Sequence, residues 1–291
     1  MGKDLNDRLP EAKEIFRHAD ELMGIDLAKI CFEGPEENLK QTNITQPAIF
    51  VHSMAVYTVL NNKKFKPAAV AGHSLGEYSA LVAAEALSFE DGLRLVKIRG
   101  ALMKQAGEKR PGTMAAIIGL DPEQVSEICD SVRYAGIVCP ANFNSPGQIA
   151  ISGEIPAVHA AMKEAKDRGA KRVVELVVSG AFHSPLMESA QEGLARALEE
   201  TEIKKAQIPV FNNVSATATT NAVEIRDLLY QQLTNPVRWV EIINNMIASG
   251  IDSFYEVGPG NVLCGLNKRI TREFECLTIG TVAELEVLKL I

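Results

Sequence analysis

Ser74 sits at the centre of Gly72-His73-Ser74-Leu75-Gly76, a G-x-S-x-G pentapeptide with a short apolar run before it and a helix-compatible run after it. The two glycines permit a turn tight enough to push a serine hydroxyl out above a sheet edge. A helix starting there aims free N–H groups and the positive end of its dipole at the same point, so the Leu75 amide is a natural oxyanion donor. In isolation such a pentapeptide is often only a turn. Between a strand and a helix it predicts a nucleophile.

A serine hydroxyl is a poor nucleophile without a base. Of the five histidines, His18, His52 and His159 fall inside helical stretches, where a surface or satisfied core role is the ordinary one. His73 adjoins the nucleophile on the turn itself and is expected to point elsewhere. His183 lies in Ser179-Gly180-Ala181-Phe182-His183-Ser184-Pro185, just past a strand and just before a helix. In a parallel sheet that is the carboxyl edge, where sites gather, so His183 is favoured as the base over a plain loop histidine.

Arg99 stands out in another way. Between Asp91 and Lys104, projected at about 100° per residue, Arg94, Lys97 and Lys104 share a polar side. Arg99 instead falls between Leu95 and Met103 in the apolar arc. A buried guanidinium needs an anion partner, and the pattern leaves two readings open: an ion pair with a buried carboxylate of the protein, or a ligand. For a ligand, a planar bidentate donor suits a carboxylate. Asn142, Asn144 and Gln148 crowd one turn; such residues mostly serve the turn itself, and lining a site is the lesser reading.

The elements that must position these residues follow from pattern. Apolar residues recur at helical spacing from Pro47 to Leu60, Pro67–Ala71 reads as a short buried strand, and Leu75–Leu87 as a helix. Next come a strand at Met114–Leu120, a helix capped by Asp121, strands at Ile137–Asn142 and Gln148–Ser152 about an Asn-Ser-Pro-Gly turn, a helix at Ile155–Arg168 and a strand at Arg172–Val178. That β-α-β-β-α-β order is the ferredoxin-like unit. Helices at Pro185–Glu200, at Ala222–Leu233 and after Pro236 then accompany strands at Pro209–Asn212 and Ser253–Val257. The expected class is α/β: residues 1–112 and 180–291 form a hydrolase-like core with one parallel sheet, interrupted by an inserted ferredoxin-like unit at 113–179.

Composition narrows the function. With 46% hydrophobic and 23% charged residues the chain is an ordinary globular one, and its net charge of −7 argues against a nucleic-acid partner. No apolar run suits a bilayer span, and the charged, amphipathic start does not read as a secretory signal, so a cytoplasmic protein is expected. The five cysteines are dispersed without a CxxC pair, which reads as buried thiols and neither a disulfide framework nor a zinc site. No metal or redox cofactor is implied.

Several runs together carry a resemblance. Gly72-His-Ser-Leu-Gly-Glu-Tyr-Ser-Ala80, Asn142-Phe-Asn-Ser-Pro-Gly-Gln148, Gly180-Ala-Phe-His-Ser184, Asn235-Pro-Val-Arg-Trp239 and Glu256-Val-Gly-Pro-Gly260 are similar to the malonyl-CoA:acyl-carrier-protein transacylases of bacterial fatty-acid synthesis. The resemblance covers nearly the whole chain, with the motifs in order. It implies Ser74 as nucleophile, His183 as base, Arg99 as partner of the malonyl carboxylate and the Gln232 carbonyl as the group orienting the histidine. It also implies Asn142 and Phe182 in the substrate pocket. Family members usually begin with a strand ending in a Gly-Gln-Gly loop that supplies the second oxyanion donor. This chain has neither, and its Met1–Leu5 resembles the segment after that loop. The implied substrates are malonyl-CoA and phosphopantetheinylated acyl carrier protein, handled by a monomer without nucleic acid or membrane. A serine thioesterase or esterase, and a non-catalytic module binding carrier protein or CoA, are the alternative readings.

Overall fold

Nine strands divide into three sheets, as seen in the computed structural model, which describes residues 1–291. The strands are β1 (Val70–Ala71), β2 (Gly112–Ile118), β3 (Val138–Ser145), β4 (Gln148–Glu154), β5 (Arg172–Glu175), β6 (Val210–Phe211), β7 (Ala218–Thr219), β8 (Ser253–Val257) and β9 (Glu275–Ile279). β1 pairs in parallel with β6, and β7 closes that sheet antiparallel. β8 and β9 form a separate parallel pair. The single core sheet expected from sequence is therefore two smaller ones. The strip of chain from Ala68 to Gly72, with β1, and all of β8 line a cavity of about 540 Å³ between the two sheets, with Trp239, Phe254 and Met246 in its apolar wall.

Helices cover the core. The Thr42–Asn62 helix is apolar nearly all round, as its burial inside the molecule requires, and it accommodates Pro47 one turn from its start. It packs along the Phe89–Lys109 helix, whose Ser88 N-cap accepts the Asp91 N–H. These two helices and their neighbours bury a cluster of 43 residues, including Phe16, Phe50, Tyr78 and Leu95. The expected helix after Ser74 is shorter than its pattern suggests, ending at Ala83.

The middle of the chain folds with strand order β3-β4-β2-β5, every neighbouring pair antiparallel, which is the ferredoxin-like arrangement. Its two helices, Pro122–Ser131 and Ile155–Asp167, pack on the sheet over a separate cluster of 14 buried residues that includes Ile117, Ile128 and Ile151. Asp121 makes a full capping box with Gln124. The outer edge of β3 is tied to the core: Phe143 N–H donates to the Val237 carbonyl at 2.9 Å, and Val237 N–H to the Ala141 carbonyl at 2.9 Å.

The cysteine expectation needs correcting. Cys264 and Cys276 form a disulfide with Cα atoms 5.3 Å apart, leaving only Cys31, Cys129 and Cys139 as thiols. The Val262–Ile270 helix lies on the β8–β9 pair, and that packing, invisible in cysteine spacing, brings the two side chains together. No helix of the chain is long and apolar enough to cross a membrane.

Candidate active site

The turn after β1 is as tight as its glycines suggest. A Cβ on Gly72 would lie 1.9 Å from the Gly76 carbonyl carbon, so only glycine fits there, whereas a Cβ on Gly76 would meet nothing within 4 Å. Ser74 has φ 51°, in the left-handed region that a residue with a Cβ enters at a cost of about 1–3 kcal/mol. His183 shares that conformation, at φ 57°. Ser74 is held there from behind: its N–H donates to Asn213 Oδ1 at 2.6 Å, and Asn213 Nδ2 donates to the Gly72 carbonyl at 2.7 Å. The Leu75 N–H has no backbone acceptor and faces the start of the Gly76–Ala83 helix dipole.

Ser74 Oγ and His183 Nε2 are 2.8 Å apart, a hydrogen bond between the predicted nucleophile and base. The far side of the imidazole faces backbone: Nδ1 is 2.9 Å from the Gln232 carbonyl and 3.2 Å from the Asn235 carbonyl. Two carbonyls can only accept, so Nδ1 carries the proton and Nε2 presents its lone pair to the serine. Burial, with the nearby Arg99 charge second, drops the His183 pKa to about 3, against smaller upward effects from those carbonyls. The imidazole is neutral at physiological pH, as a base must be.

Arg99 is 1% exposed and its partners are neutral oxygens: Gln46 Oε1 at 2.6 Å, Ser74 Oγ at 2.9 Å and Gln232 Oε1 at 2.9 Å. Its Nε has no partner, and its guanidinium carbon lies 5.6 Å from the Tyr78 ring centre. Of the two readings left open by sequence, the protein ion pair is the one this geometry disfavours. A cation hydrogen-bonded to the nucleophile and lacking a paired carboxylate is arranged to receive an anion carried by something attached to that serine.

Phe182 packs between the main core and a small cluster of Met114, Ala141 and Ala150 from the inserted sheet, where the two parts meet. Asn142 is a different matter. It is 7% exposed in β3, beside a register shift, and makes no side-chain hydrogen bond to any site residue. The asparagine that touches the serine loop is Asn144, whose Oδ1 lies 2.9 Å from His73 Nε2. Register shifts flank Asn142, between Pro140 and Asn142 and between Phe143 and Ser145. His73 faces Asn144 and Trp239, away from Ser74 as expected.

Three residues of the site were not anticipated: Gln46, Asn213 and Glu77. Glu77 had a signal, being a charged residue in an otherwise apolar helical stretch; Gln46, among Thr42, Asn43 and Thr45 ahead of the apolar run, and Asn213, in a loop, had none. No group of three or more His, Cys, Asp or Glu side chains is arranged to hold a metal ion.

Known proteins resemble the chain along nearly its whole length. A family model described as the acyl transferase domain matches residues 1–285. The chain is 44% identical over 288 residues to the malonyl CoA-acyl carrier protein transacylase of Bacillus subtilis, covering 99% of this chain and 91% of that protein. It superposes with TM-score 0.95 and 43% identity on a crystal structure of an acyl carrier protein S-malonyltransferase from Vibrio cholerae, covering 99% of this chain and 94% of the other. A malonyl-transacylase solved in complex with its holo type II polyketide acyl-carrier protein gives TM-score 0.96 at 42% identity, with coverage of 99% and 93%. A serine held at positive φ against a neutral histidine, with a free cation beside it, occurs here in a chain that belongs to the acyl transferase family, among its malonyl-CoA:acyl-carrier-protein transacylases.

Proposed function

We propose that the chain moves a malonyl group from malonyl-CoA to the phosphopantetheine thiol of acyl carrier protein, through an ester on Ser74. The observation that carries the roles is Arg99, a buried guanidinium bonded at once to Ser74 Oγ and to neutral amide oxygens. In the first step His183 Nε2 takes the Ser74 proton as Oγ attacks the thioester carbonyl. The Leu75 N–H accommodates the oxyanion, and Arg99 pairs with the distal carboxylate. Collapse breaks the C–S bond, and the CoA sulfur leaves with the proton from His183. In the second step His183 deprotonates the carrier thiol, whose sulfur attacks the malonyl-serine carbonyl. The C–O bond to Ser74 breaks and Oγ recovers its proton. The Gln232 carbonyl keeps the imidazole in the required tautomer throughout, Phe182 helps exclude water, and Asn142 is assigned to the pocket wall only.

The same proposal treats residues 113–179 as an insert into a core of 1–112 and 180–291, a division supported by their separate hydrophobic clusters. It has the chain working as a cytoplasmic monomer with no cofactor beyond its substrates. Intact-mass spectrometry after brief exposure to malonyl-CoA tests the reading. The parent should gain one malonyl group and Ser74→Ala none; adding holo carrier protein should then discharge the ester to the carrier. A folded parent without an adduct overturns it, and discharge to water in place of the carrier makes the chain a hydrolase.

A further inference from the structure

One buried carboxylate oxygen joins the two halves of the site. Glu77, on the first turn of the Gly76–Ala83 helix, is 3% exposed. Its Oε2 accepts the Gln232 side-chain amide at 2.8 Å and the Asn213 backbone N–H at 3.0 Å. Gln232 is the residue whose carbonyl receives the His183 Nδ1 proton, and its side chain also donates to the Ser74 carbonyl at 3.1 Å and accepts from Arg99. Asn213 is the residue whose side chain holds the Ser74 N–H and the Gly72 carbonyl. Both residues are essentially without exposure, so neither has water as an alternative partner. Glu77 itself bonds to neither Ser74 Oγ nor His183.

Burying a carboxylate without a bonded cation is costly, and a helix residue facing only a core would ordinarily be apolar. Burial pushes the Glu77 pKa up to about 7, against smaller downward effects of the Gln232 amide, the Asn213 N–H and the Arg99 charge, and the two donated N–H groups satisfy the oxygen as an acceptor. What that arrangement achieves is geometric. The oxygen sits between Gln232, whose carbonyl orients the base, and Asn213, which holds the turn that presents the nucleophile, and both of those lie in segments distant in sequence from Glu77. We infer that Glu77 is a positioning residue for acyl transfer, its Oε2 fixing the Ser74–His183 geometry through Asn213 and Gln232. The inference rests on the acyl-transfer reading above and adds a residue to it.

Two conservative variants separate a fixed acceptor from a fixed charge and from simple packing. Glu77→Gln keeps an acceptor oxygen at the same reach and removes the charge. Glu77→Asp keeps the charge and withdraws the oxygen by one methylene. Steady-state malonyl transfer is measured for both with thermal melting alongside, and with the parent and Ser74→Ala as controls. Positioning predicts that E77Q retains kcat within about threefold, whereas E77D loses about tenfold to a hundredfold in kcat with KM for malonyl-CoA little changed, as expected for a displacement of about 1 Å at a reacting pair. A purely structural role lowers the melting temperature and leaves kcat of the folded enzyme intact in both variants, which overturns the inference. The reverse order, E77D active and E77Q impaired, makes the charge the essential property and overturns it too, as does a loss expressed in KM alone. A parent that forms no malonyl ester sinks the acyl-transfer reading instead, so the two failures are distinguishable.

Discussion

Ser74 and His183 are both non-glycine residues at positive φ, and the cost of holding them there is met by neighbours whose bonds leave them no choice. The serine amide has Asn213, and the imidazole has a pair of backbone carbonyls where many serine enzymes use a carboxylate. A carbonyl fixes the tautomer without adding negative charge to a site that must also accept a malonyl carboxylate. In the proposed mechanism Arg99 is the matching device on the other side, and selectivity is the test of that role. Arg99→Ala should lower transfer of malonyl at least tenfold more than transfer of acetyl, measured as kcat/KM for the two CoA esters, because only malonyl has the carboxylate that loses its partner. Equal losses would mean that Arg99 acts only by holding Ser74 and Gln232.

At the scale of elements, the turn between β1 and the Gly76–Ala83 helix has two glycines that do different things. Gly72 has the Gly76 backbone against the place its Cβ would occupy, while Gly76 has open space. Gly72→Ala should therefore abolish acylation and lower the melting temperature, since backbone must move to relieve the clash. Gly76→Ala should fold with a melting temperature equal to the parent's or above it, Ala being the better helix former by up to about 1 kcal/mol. Circular-dichroism melts of the two variants decide it; similar losses in both would mean the turn relaxes as a unit. The Asn235–Trp239 run has a comparable double use. Its Asn235 carbonyl faces the His183 imidazole while Val237 pairs with the edge of β3, so the inserted unit is docked by the same few residues that hold His183. Glu256 of the Glu256–Gly260 run turns out to be a helix cap, its carboxylate accepting the Leu263 and Cys264 N–H groups at 3.0 and 2.7 Å.

At the scale of the whole molecule, two sheets and two helices converge on one small volume. β1 and β6 bring Ser74 and Asn213 together, the inserted sheet brings Asn144 and the wall around Phe182, and the helices at 89–109 and 222–232 bring Arg99 and Gln232. The β8–β9 pair stands across the 540 Å³ cavity; the Cys264–Cys276 disulfide ties the Val262–Ile270 helix to β9, and Trp239 Nε1 donates to Asn267 of that helix at 3.0 Å. The disulfide gives a direct count: denatured without reductant the protein should titrate three thiols, and five after reduction, in an Ellman assay. Five thiols from the start would restore the sequence expectation.

Much of this was legible in the residues alone. The proposed nucleophile, the proposed base and the buried cation each broke a local pattern: a serine between two glycines, a histidine at a strand-to-helix junction, an arginine in an apolar arc. The ferredoxin-like order was readable because its strands and helices are long enough to show their periods. The core strands β1, β6 and β7 are two residues each, too short for any period, so their pairing and the split into two sheets belonged to tertiary structure. The same holds for Asn213 and Gln46, for the partners of Glu77, and for the Cys264–Cys276 bond. Each is defined by a partner far away in sequence, and local propensity carries no information about which distant segment will supply a hydrogen-bond donor or a second sulfur. Sequence determined what chemistry the chain can do; only the fold decided which buried oxygens hold that chemistry in register.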